Sequence, residues 1–383
     1  MYLSTFFLYF LQIVYSVILY IFGNFVLEIE SWATFSSMQY TAIILVSISW
    51  LGTDLSGIRI IADSKINERG SDFASIIIIR NIAFLIFYFL LCPILFGQLS
   101  LSIFLYGIGM VNIPSFYFFG ERNSFSKLII SEIAQKLILA LVLFYSAQNE
   151  ITFLRVFTLI SLVLCINSGI LIAFIINKEK LKITLIKKNL FIAKEKYFKT
   201  GIFYILIQIT QQLTYTLPVI LFQRAGLYSI ATELTNLERV IRIIRGLVGQ
   251  SIKVMLGKVK DYSLEIKFLR YFIGINIIFI ILCFLLDDSL KFVPDYLKFD
   301  LFNFGLFLIT IPIASISTFL LGTKLREGSF SKNDIFQLIT RLIACLLGFV
   351  LLSLLLESFY GTIALIIALE IWLLKILLSI QVK

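Results

Sequence analysis

The sequence predicts an all-α membrane protein in which about twelve transmembrane helices form two six-helix bundles around a central cleft. Three observations predict this class. Hydrophobic residues make up 60% of the 383 residues, and the mean hydropathy is +0.99, whereas soluble domains are only about half apolar. The apolar residues form about a dozen stretches, each long enough for the roughly 20 residues that a helix needs to cross a bilayer. Basic residues concentrate in every second gap between these stretches.

The first stretch lacks the basic n-region and the cleavage site of a signal peptide, so it is predicted to be a span. Spans two and eight exceed the bilayer thickness, which predicts that they tilt or continue into the cytoplasm. In chain order, the spans are predicted at residues 5–26, 32–62, 73–97, 99–121, 126–147, 151–177, 200–223, 226–256, 268–286, 300–322, 334–357 and 360–380.

The charge of the gaps predicts the orientation of the chain. On one side, the gaps hold Arg224, Lys291 and Lys298 as their only basic residues and are otherwise acidic. Because loops rich in Lys and Arg stay in the cytoplasm, both termini are predicted to be cytoplasmic. The net charge of +10 lies largely in short cytoplasmic loops, where anionic headgroups attract it. Membrane lipids, and not nucleic acids, are therefore the expected partners.

The longest basic loop, at 178–199, divides the chain in two. It holds eight lysines, and its amphipathic pattern predicts that it lies on the inner membrane surface. It separates an N-terminal six-helix bundle at 1–177 from a C-terminal six-helix bundle at 200–383. Two such halves, with the substrate site between them, are a common plan of transporters.

The chain contains no histidine, which excludes Ser-His and Cys-His nucleophile pairs and histidine metal ligands. The four cysteines all lie within apolar stretches and lack paired spacing, so neither a disulfide nor a metal site is predicted. No catalytic residue and no cofactor are expected, and the chain is not predicted to be an enzyme.

Span eight carries most of the charge within a predicted helix. Arg239 and Arg242 share one stripe with small and hydroxyl residues, and Glu238 and Arg245 lie along its edge. Three guanidinium groups on one face suit a phosphate-bearing headgroup, because the planar fork binds phosphate oxygens bidentately. Alternatively, Glu238 and Arg242 neutralise each other at their i,i+4 spacing.

Ionisable residues in other spans also suggest function. Asp54, Arg59 and Arg80 fall in the inner halves of spans two and three, where each is either an interfacial anchor, part of an ion pair or part of a cationic vestibule. Glu370 lies near the midpoint of span twelve. It is expected to pair with Lys375 or Arg341, to stay protonated, or to serve a coupling ion.

Span seven places three amides and a phenol on one helical face: Gln208, Gln211, Gln212 and Tyr215. Such groups suit sugar hydroxyls, and the aromatic ring is available for stacking. Hydrogen bonding between helices is the alternative interpretation.

Three short motifs stand at the ends of predicted spans. Span two ends in Leu-Gly-Thr-Asp-Leu at 51–55, and span four ends in Pro-Ser-Phe-Tyr-Phe-Phe-Gly-Glu at 114–121. Span eight begins with Ala-Gly-Leu-Tyr-Ser-Ile-Ala at 225–231. These motifs resemble those of the O-antigen (Wzx-like) polysaccharide flippases of the MOP superfamily, which is related to the MATE transporters. The chain departs from the family in having Phe116 where a tryptophan is usual.

The resemblance implies that the chain flips undecaprenyl-pyrophosphate-linked oligosaccharide across the bacterial inner membrane by alternating access, for O-antigen and lipopolysaccharide synthesis. Arg239, Arg242 and Arg245, with Arg59 or Arg80, would bind the pyrophosphate, and the span-seven amides and phenol the sugars. Glu370 or Asp54 would couple transport to H⁺ or Na⁺. A polysaccharide polymerase and a chain-length regulator are candidate partners.

Two other functions share parts of this pattern. A MATE-like, cation-coupled multidrug exporter would have the same topology, although acidic residues would be expected in its cavity. An O-antigen polymerase would need a large external loop or a histidine, and the sequence has neither.

Overall fold

The computed structural model describes residues 2–121, 124–149, 151–179, 212–239, 332–354 and 358–381, together with short pieces between 206 and 320. Every regular element in this part of the chain is helical. The described helices are α1 (Tyr2–Phe25), α2 (Ile29–Ser49), α3 (Thr53–Asp63), α4 (Ile66–Phe96), α5 (Leu101–Val111), α6 (Ser115–Gly120), α7 (Phe125–Gln148), α8 (Phe153–Glu179), α9 (212–224), α10 (228–239), α11 (Lys332–Leu354) and α12 (Phe359–Gln381).

Membrane-spanning helices follow the hydropathy of the sequence. Six helical segments in the described ranges are long and apolar enough to cross a membrane: Ile66–Phe96, Leu101–Gly120, Phe125–Gln148, Phe153–Glu179, Ile335–Leu352 and Phe359–Leu377. They coincide with predicted spans three to six, eleven and twelve. Predicted spans nine and ten lie largely outside the described residues.

The chain forms two compact units, Met1–Thr232 and Glu233–Lys383. In the first unit, α5 packs on α8, α1 packs on α7, and α2 packs on α4 and α5. In the second, α11 packs on α12. The linker predicted at 178–199 lies outside the described residues beyond Glu179, and the division of the chain at that loop stays a prediction.

The core of the first unit is built around α2, which is buried along most of its length. One side of α2 contributes Trp32, Phe35 and Leu45 to a cluster of apolar side chains from α1, α4, α5, α7 and α8. Phe157 of α8 meets the edge of Phe35 at 5.2 Å between ring centroids. Close packing of these rings stabilises the association of the helices through van der Waals contact, because lipid tails are as apolar as the side chains and burial from water does not drive packing within the membrane.

Spans two and four are each interrupted, which the hydropathy pattern did not predict. Between α2 and α3, Leu51 and Gly52 adopt φ angles of 48° and 73°, a left-handed conformation that ends a right-handed helix. Between α5 and α6 lies Pro114, which has no N–H to continue the helical hydrogen bonds. Each predicted span is therefore two helices joined at a break.

The segments beyond the breaks pack closely on each other. Gly120 of α6 lies against the backbone of α3: a β-carbon added there would be 2.7 Å from the carbonyl oxygen of Ile58. Gly57 of α3 faces the ring of Phe116, where an added β-carbon would come within 2.8 Å. Larger side chains at either glycine would push α3 and α6 apart.

Candidate functional site

Arg80 is a fully buried cation within a membrane-spanning helix. It lies 14 residues after Ile66, the first residue of α4, which is about 21 Å along the helix axis. Its side chain is 0% exposed. Because it reaches no membrane surface, Arg80 is not the interfacial anchor that was one interpretation of the sequence.

The surroundings of Arg80 explain how the charge is accommodated. Its Nε donates a hydrogen bond of 2.6 Å to Oγ1 of Thr53, and its guanidinium carbon lies 4.4 Å from the centroid of the Phe116 ring. The ring of Trp50 lies 5.6 Å away on another side. Cation–π contact with two rings stabilises a charge removed from water. The aromatic run that resembles the flippase motif thus supplies one wall of this cation site.

Asn81, the next residue of α4, contacts the other break. Its Nδ2 donates to Oδ1 of Asn112 at 2.7 Å, and Nδ2 of Asn112 donates back to Oδ1 of Asn81 at 3.0 Å. Thr53 directly follows the break in span two, and Asn112 directly follows α5. Two consecutive residues of α4, Arg80 and Asn81, therefore form hydrogen bonds with residues at the two breaks. The asparagine pair was not predicted, although two amides within apolar spans were a signal for it.

Asp54 and Arg59 also belong to α3, but their side chains lie outside the described part of the structure. It therefore stays a prediction that Arg59 binds the pyrophosphate and that Asp54 is a coupling residue.

Helix α9 carries the predicted sugar-binding face. Tyr215 is buried and Gln212 is partly exposed, whereas Gln208 and Gln211 lie outside the described residues. Thr214 and Thr216 donate their hydroxyl protons to carbonyls one turn earlier in the same helix, at 2.7 Å each. The sugar-binding assignment of this face stays a prediction.

The outer end of α9 is attached to the rest of the first unit. Arg224 donates a hydrogen bond to the carbonyl oxygen of Ile94, in the last turn of α4. Nε2 of Gln223 donates to Oγ1 of Thr34 at 3.4 Å. A guanidinium near a helix C-terminus stabilises the carbonyl groups that have no helical partner.

Helix α10 begins the charged segment of span eight. Nε and Nη2 of Arg242 lie 2.7 and 2.6 Å from the same oxygen of Glu238. Glu238 is buried, while the Arg242 side chain is 40% exposed. Arg239 is 8% exposed, and Arg245 lies outside the described residues. Glu238 and Arg242 thus form an ion pair, as the alternative interpretation of this pattern predicted.

Helices α11 and α12 enclose a fully buried pair. Nη2 of Arg341 lies 3.8 Å from Oε1 of Glu370, and both side chains are 0% exposed. Nε of Arg341 also donates to the carbonyl oxygen of Leu369 at 2.8 Å. Of the two predicted partners of Glu370, Arg341 is therefore the one in contact, whereas Lys375 is exposed.

A cluster of charges joins the end of α6 to the end of α8, and the sequence analysis did not identify it. Nζ of Lys178 lies 2.8 Å from Oε2 of Glu121 and also donates to Oγ of Ser124. Tyr117 donates its hydroxyl proton to Glu179. Burial raises the pKa of Glu121, but hydrogen bonds from Lys178 and Ser124 and the Lys178 charge outweigh it, so the pKa lies below its ordinary value.

Within the part of the chain that the structure describes, no group of three His, Cys, Asp or Glu residues is arranged to hold a metal ion.

No protein-family model matches this sequence, and neither does any curated protein. Among solved structures, the chain is similar to the crystal structure of the eukaryotic MATE transporter AtDTX14. The superposition has a TM-score of 0.62 at 13% sequence identity, and it covers 99% of this chain and 93% of that chain. Together with the spans described above, this likeness establishes the architecture. The chain is an all-α membrane protein with the fold of the MATE transporters.

Proposed function

We propose that the protein transports a lipid-linked oligosaccharide with an anionic, pyrophosphate-type headgroup across the bacterial inner membrane by alternating access. The observation that carries this proposal is that every buried carboxylate among the described residues has a basic residue against it. Arginines 80, 239 and 341 are each at least nine-tenths buried. All of the buried carboxylates among the described residues, at positions 121, 238 and 370, lie within 4 Å of a Lys or Arg.

This pairing of the buried carboxylates disfavours a cationic substrate and so supports an anionic one. An unpaired carboxylate would attract a cationic drug, but each buried carboxylate described here has a basic residue against it. A guanidinium in a low-dielectric environment can instead bind phosphate oxygens through two parallel hydrogen bonds. Arg80 and Arg239 are the proposed phosphate ligands, with Arg242, Arg245 and Arg59 contributing where they reach the headgroup.

The polar face of α9 is the proposed sugar contact. Gln212 and Tyr215, with the amides at 208 and 211, would hydrogen-bond to hydroxyl groups. Glu370 is the proposed coupling group, because protonation of its carboxylate would remove its attraction for Arg341 and so change the packing of α11 on α12. Asp54 is the alternative coupling group, and H⁺ or Na⁺ is the proposed coupling ion.

A cation-coupled exporter of small molecules is the second candidate. The observation in its favour is the fold itself, since the similar solved structure is that of a MATE transporter. The two candidates differ in substrate, so one experiment separates them.

The test follows lipid-linked oligosaccharide in cells that lack the gene. A membrane-impermeant glycan probe applied to spheroplasts would measure how much of the lipid-linked unit is in the outer leaflet. We expect intact units to accumulate on the cytoplasmic side and the wild-type gene to restore outward labelling. Normal outward labelling in the deletion strain would contradict the proposal and favour the exporter, and single units that reach the outside without polymerising would indicate a polymerase.

Variants then test the charge argument. Arg80→Gln should lower outward labelling by about tenfold or more, because about 1.5–3 kcal/mol is typical of a hydrogen bond to a charged group. Arg155→Gln is the matched control, since Arg155 is an exposed arginine on α8. Equal labelling by Arg80→Gln and wild type, at equal amounts of protein in the membrane, would exclude Arg80 from the substrate site.

A further inference from the structure

A groove lies between α7 and α8 on the membrane-facing side of the first unit. It has a volume of about 410 Å³, within the range of about 300–1,000 Å³ that is usual for ligand pockets. Its rims include Ile130 on α7 and Ile166 and Ile170 on α8, which are 61%, 63% and 61% exposed. Because both helices are long and apolar enough to span the membrane, the hydrocarbon of the bilayer borders this groove, and the α7–α8 groove is open to lipid.

One end of the α7–α8 groove is cationic. Lys127 lines it two residues after the start of α7, next to the gap that the charge pattern assigns to the cytoplasm. The ammonium group is exposed, and it forms no ion pair or hydrogen bond with any residue that the structure describes. A lysine at this level of the membrane attracts anionic headgroups.

The middle of the α7–α8 groove is polar. Oγ of Ser131 donates to Oδ1 of Asn167, and Nδ2 of Asn167 donates to Oε1 of Gln135 at 2.7 Å. Gln135 ends this chain of hydrogen bonds, and its Nε2 has no acceptor among the described residues. Gln135 lines the groove and is only 2% exposed. An amide donor that faces an apolar groove without an acceptor is costly, so an acceptor on a bound molecule would stabilise it.

The order of these groups along the helix matches the parts of a phospholipid. From Lys127, Ser131 is about 6 Å, Gln135 about 12 Å and Ile138 about 16 Å along the axis of α7. The groove thus presents an ammonium group, then hydroxyl and amide groups, then an apolar end, over about the 15 Å of one hydrocarbon leaflet. A glycerophospholipid has a phosphate, then ester carbonyls, then an acyl chain. A polyprenyl chain has no ester carbonyl to accept a hydrogen bond from Gln135.

We propose that the α7–α8 groove is a binding site for an anionic glycerophospholipid of the predicted cytoplasmic leaflet. Lys127 contacts the phosphate, the amide of Gln135 donates to an ester carbonyl, and one acyl chain packs between the isoleucines of α7 and α8. This site is separate from the proposed substrate site and is expected whichever molecule the protein transports.

The test measures lipid retention by the purified full-length protein. The protein is washed in neutral detergent and titrated with phosphatidylglycerol or phosphatidylcholine, and bound lipids are counted by native mass spectrometry. We expect one phosphatidylglycerol to be retained in preference to phosphatidylcholine. Lys127→Gln should raise the apparent Kd for phosphatidylglycerol about fivefold, the factor that corresponds to about 1 kcal/mol per basic residue near an anionic headgroup.

A second variant blocks the groove without touching the charge. Ile170→Trp places a large ring in the groove from its exposed rim and should abolish retention. Leu141→Trp is the matched control, because Leu141 is 66% exposed on α7 but does not line the groove. Lys65→Gln, at an exposed lysine just before α4, is the control for charge, and neither control should change retention.

Three outcomes would overturn the proposal. Equal retention of phosphatidylglycerol and phosphatidylcholine would show that the headgroup is not recognised. Unchanged retention in Ile170→Trp, with the unfolding temperature equal to that of wild type, would place the bound lipid elsewhere. Retention of a polyprenyl phosphate but not of phosphatidylglycerol would assign the groove to the tail of a transported lipid.

Discussion

Nε of Arg80 lies 2.6 Å from Oγ1 of Thr53, the first residue of α3 after the break in span two. The same hydroxyl group donates to the carbonyl oxygen of Trp50, the residue that precedes the left-handed pair Leu51 and Gly52. One threonine oxygen thus accepts from a buried cation and donates across the break. Thr53 therefore stabilises both the break in span two and the buried charge of Arg80.

Replacing this hydroxyl should destabilise the fold. Thr53→Val keeps the shape of the side chain but removes both hydrogen bonds, and we expect it to lower the free energy of unfolding by about 1.5–3 kcal/mol, the range for a hydrogen bond to a charged group. The measurement is thermal unfolding in detergent. Thr53→Ser keeps the hydroxyl and should lose less than half as much. An unfolding temperature for Thr53→Val equal to that of wild type would contradict the role given to this contact.

The pair of asparagines at the second break should show energetic coupling. Asn81→Ala and Asn112→Ala each leave the other amide without its reciprocal partner, whereas the double variant removes both. A double-mutant cycle should give a coupling energy of about 1 kcal/mol, within the range measured for hydrogen bonds between membrane helices. The cycle is measured by thermal or chemical unfolding, and strict additivity of the two substitutions would mean that the amides do not cooperate.

The buried pair on α11 and α12 should respond asymmetrically to substitution. Arg341→Gln leaves Glu370 as a buried carboxylate beside a neutral amide, and we expect a loss of about 3–5 kcal/mol, as for other broken buried ion pairs. Glu370→Gln leaves the Arg341 cation, which keeps its hydrogen bond to the carbonyl oxygen of Leu369. The free energy of unfolding should therefore fall less in Glu370→Gln than in Arg341→Gln. The double variant, with two neutral amides, should be more stable than Arg341→Gln alone. Expression level and unfolding temperature measure all three variants.

The ionised form of Glu121 should make stability depend on pH in the acid range. Its pKa in the folded protein lies below the ordinary value of 4.5, so folding favours the ionised carboxylate. This contribution is complete above pH 4.5 and is lost as the pH falls through the lower pKa of the folded state. Unfolding temperatures measured from pH 7 to pH 3 should fall more steeply for wild type than for Glu121→Gln. Parallel profiles for the two proteins would show that the Lys178 contact does not favour the ionised form.

Hydropathy predicted the helices because a membrane-spanning helix must bury every backbone polar group internally and face hydrocarbon with apolar side chains. The ends of α7 and α8 consequently lie within about two residues of predictions made from the sequence. The breaks were not predicted, although Gly52 and Pro114 are residue types that interrupt helices. Each break occupies only a few residues within a longer apolar stretch, so the span was predicted as one helix. The left-handed φ of Leu51 in particular follows from packing that the local sequence does not encode.

The sites were predictable where charge was the signal. Glu370 is acidic at the middle of an apolar span, so a basic partner was expected, and Arg341 was one of the two candidates. Arg80 was predicted to lie near the start of its span, whereas α4 begins at Ile66, seven residues before the predicted span, so that Arg80 lies 14 residues into the helix. Gln135 and Asn167 stand apart in the sequence, and only the packing of α7 on α8 brings them into one hydrogen-bonded chain.

Arg80 and Asn81 are neighbours on α4, so their side chains leave the helix about 100° apart and move as one body with its axis. Arg80 forms a hydrogen bond with Thr53 at the break in span two, and Asn81 forms hydrogen bonds with Asn112 at the break in span four. A turn or axial shift of α4 therefore displaces both attachments at once, and α3 and α6 are already joined through Gly57 and Gly120. The two half-spans are therefore expected to move together whenever α4 moves.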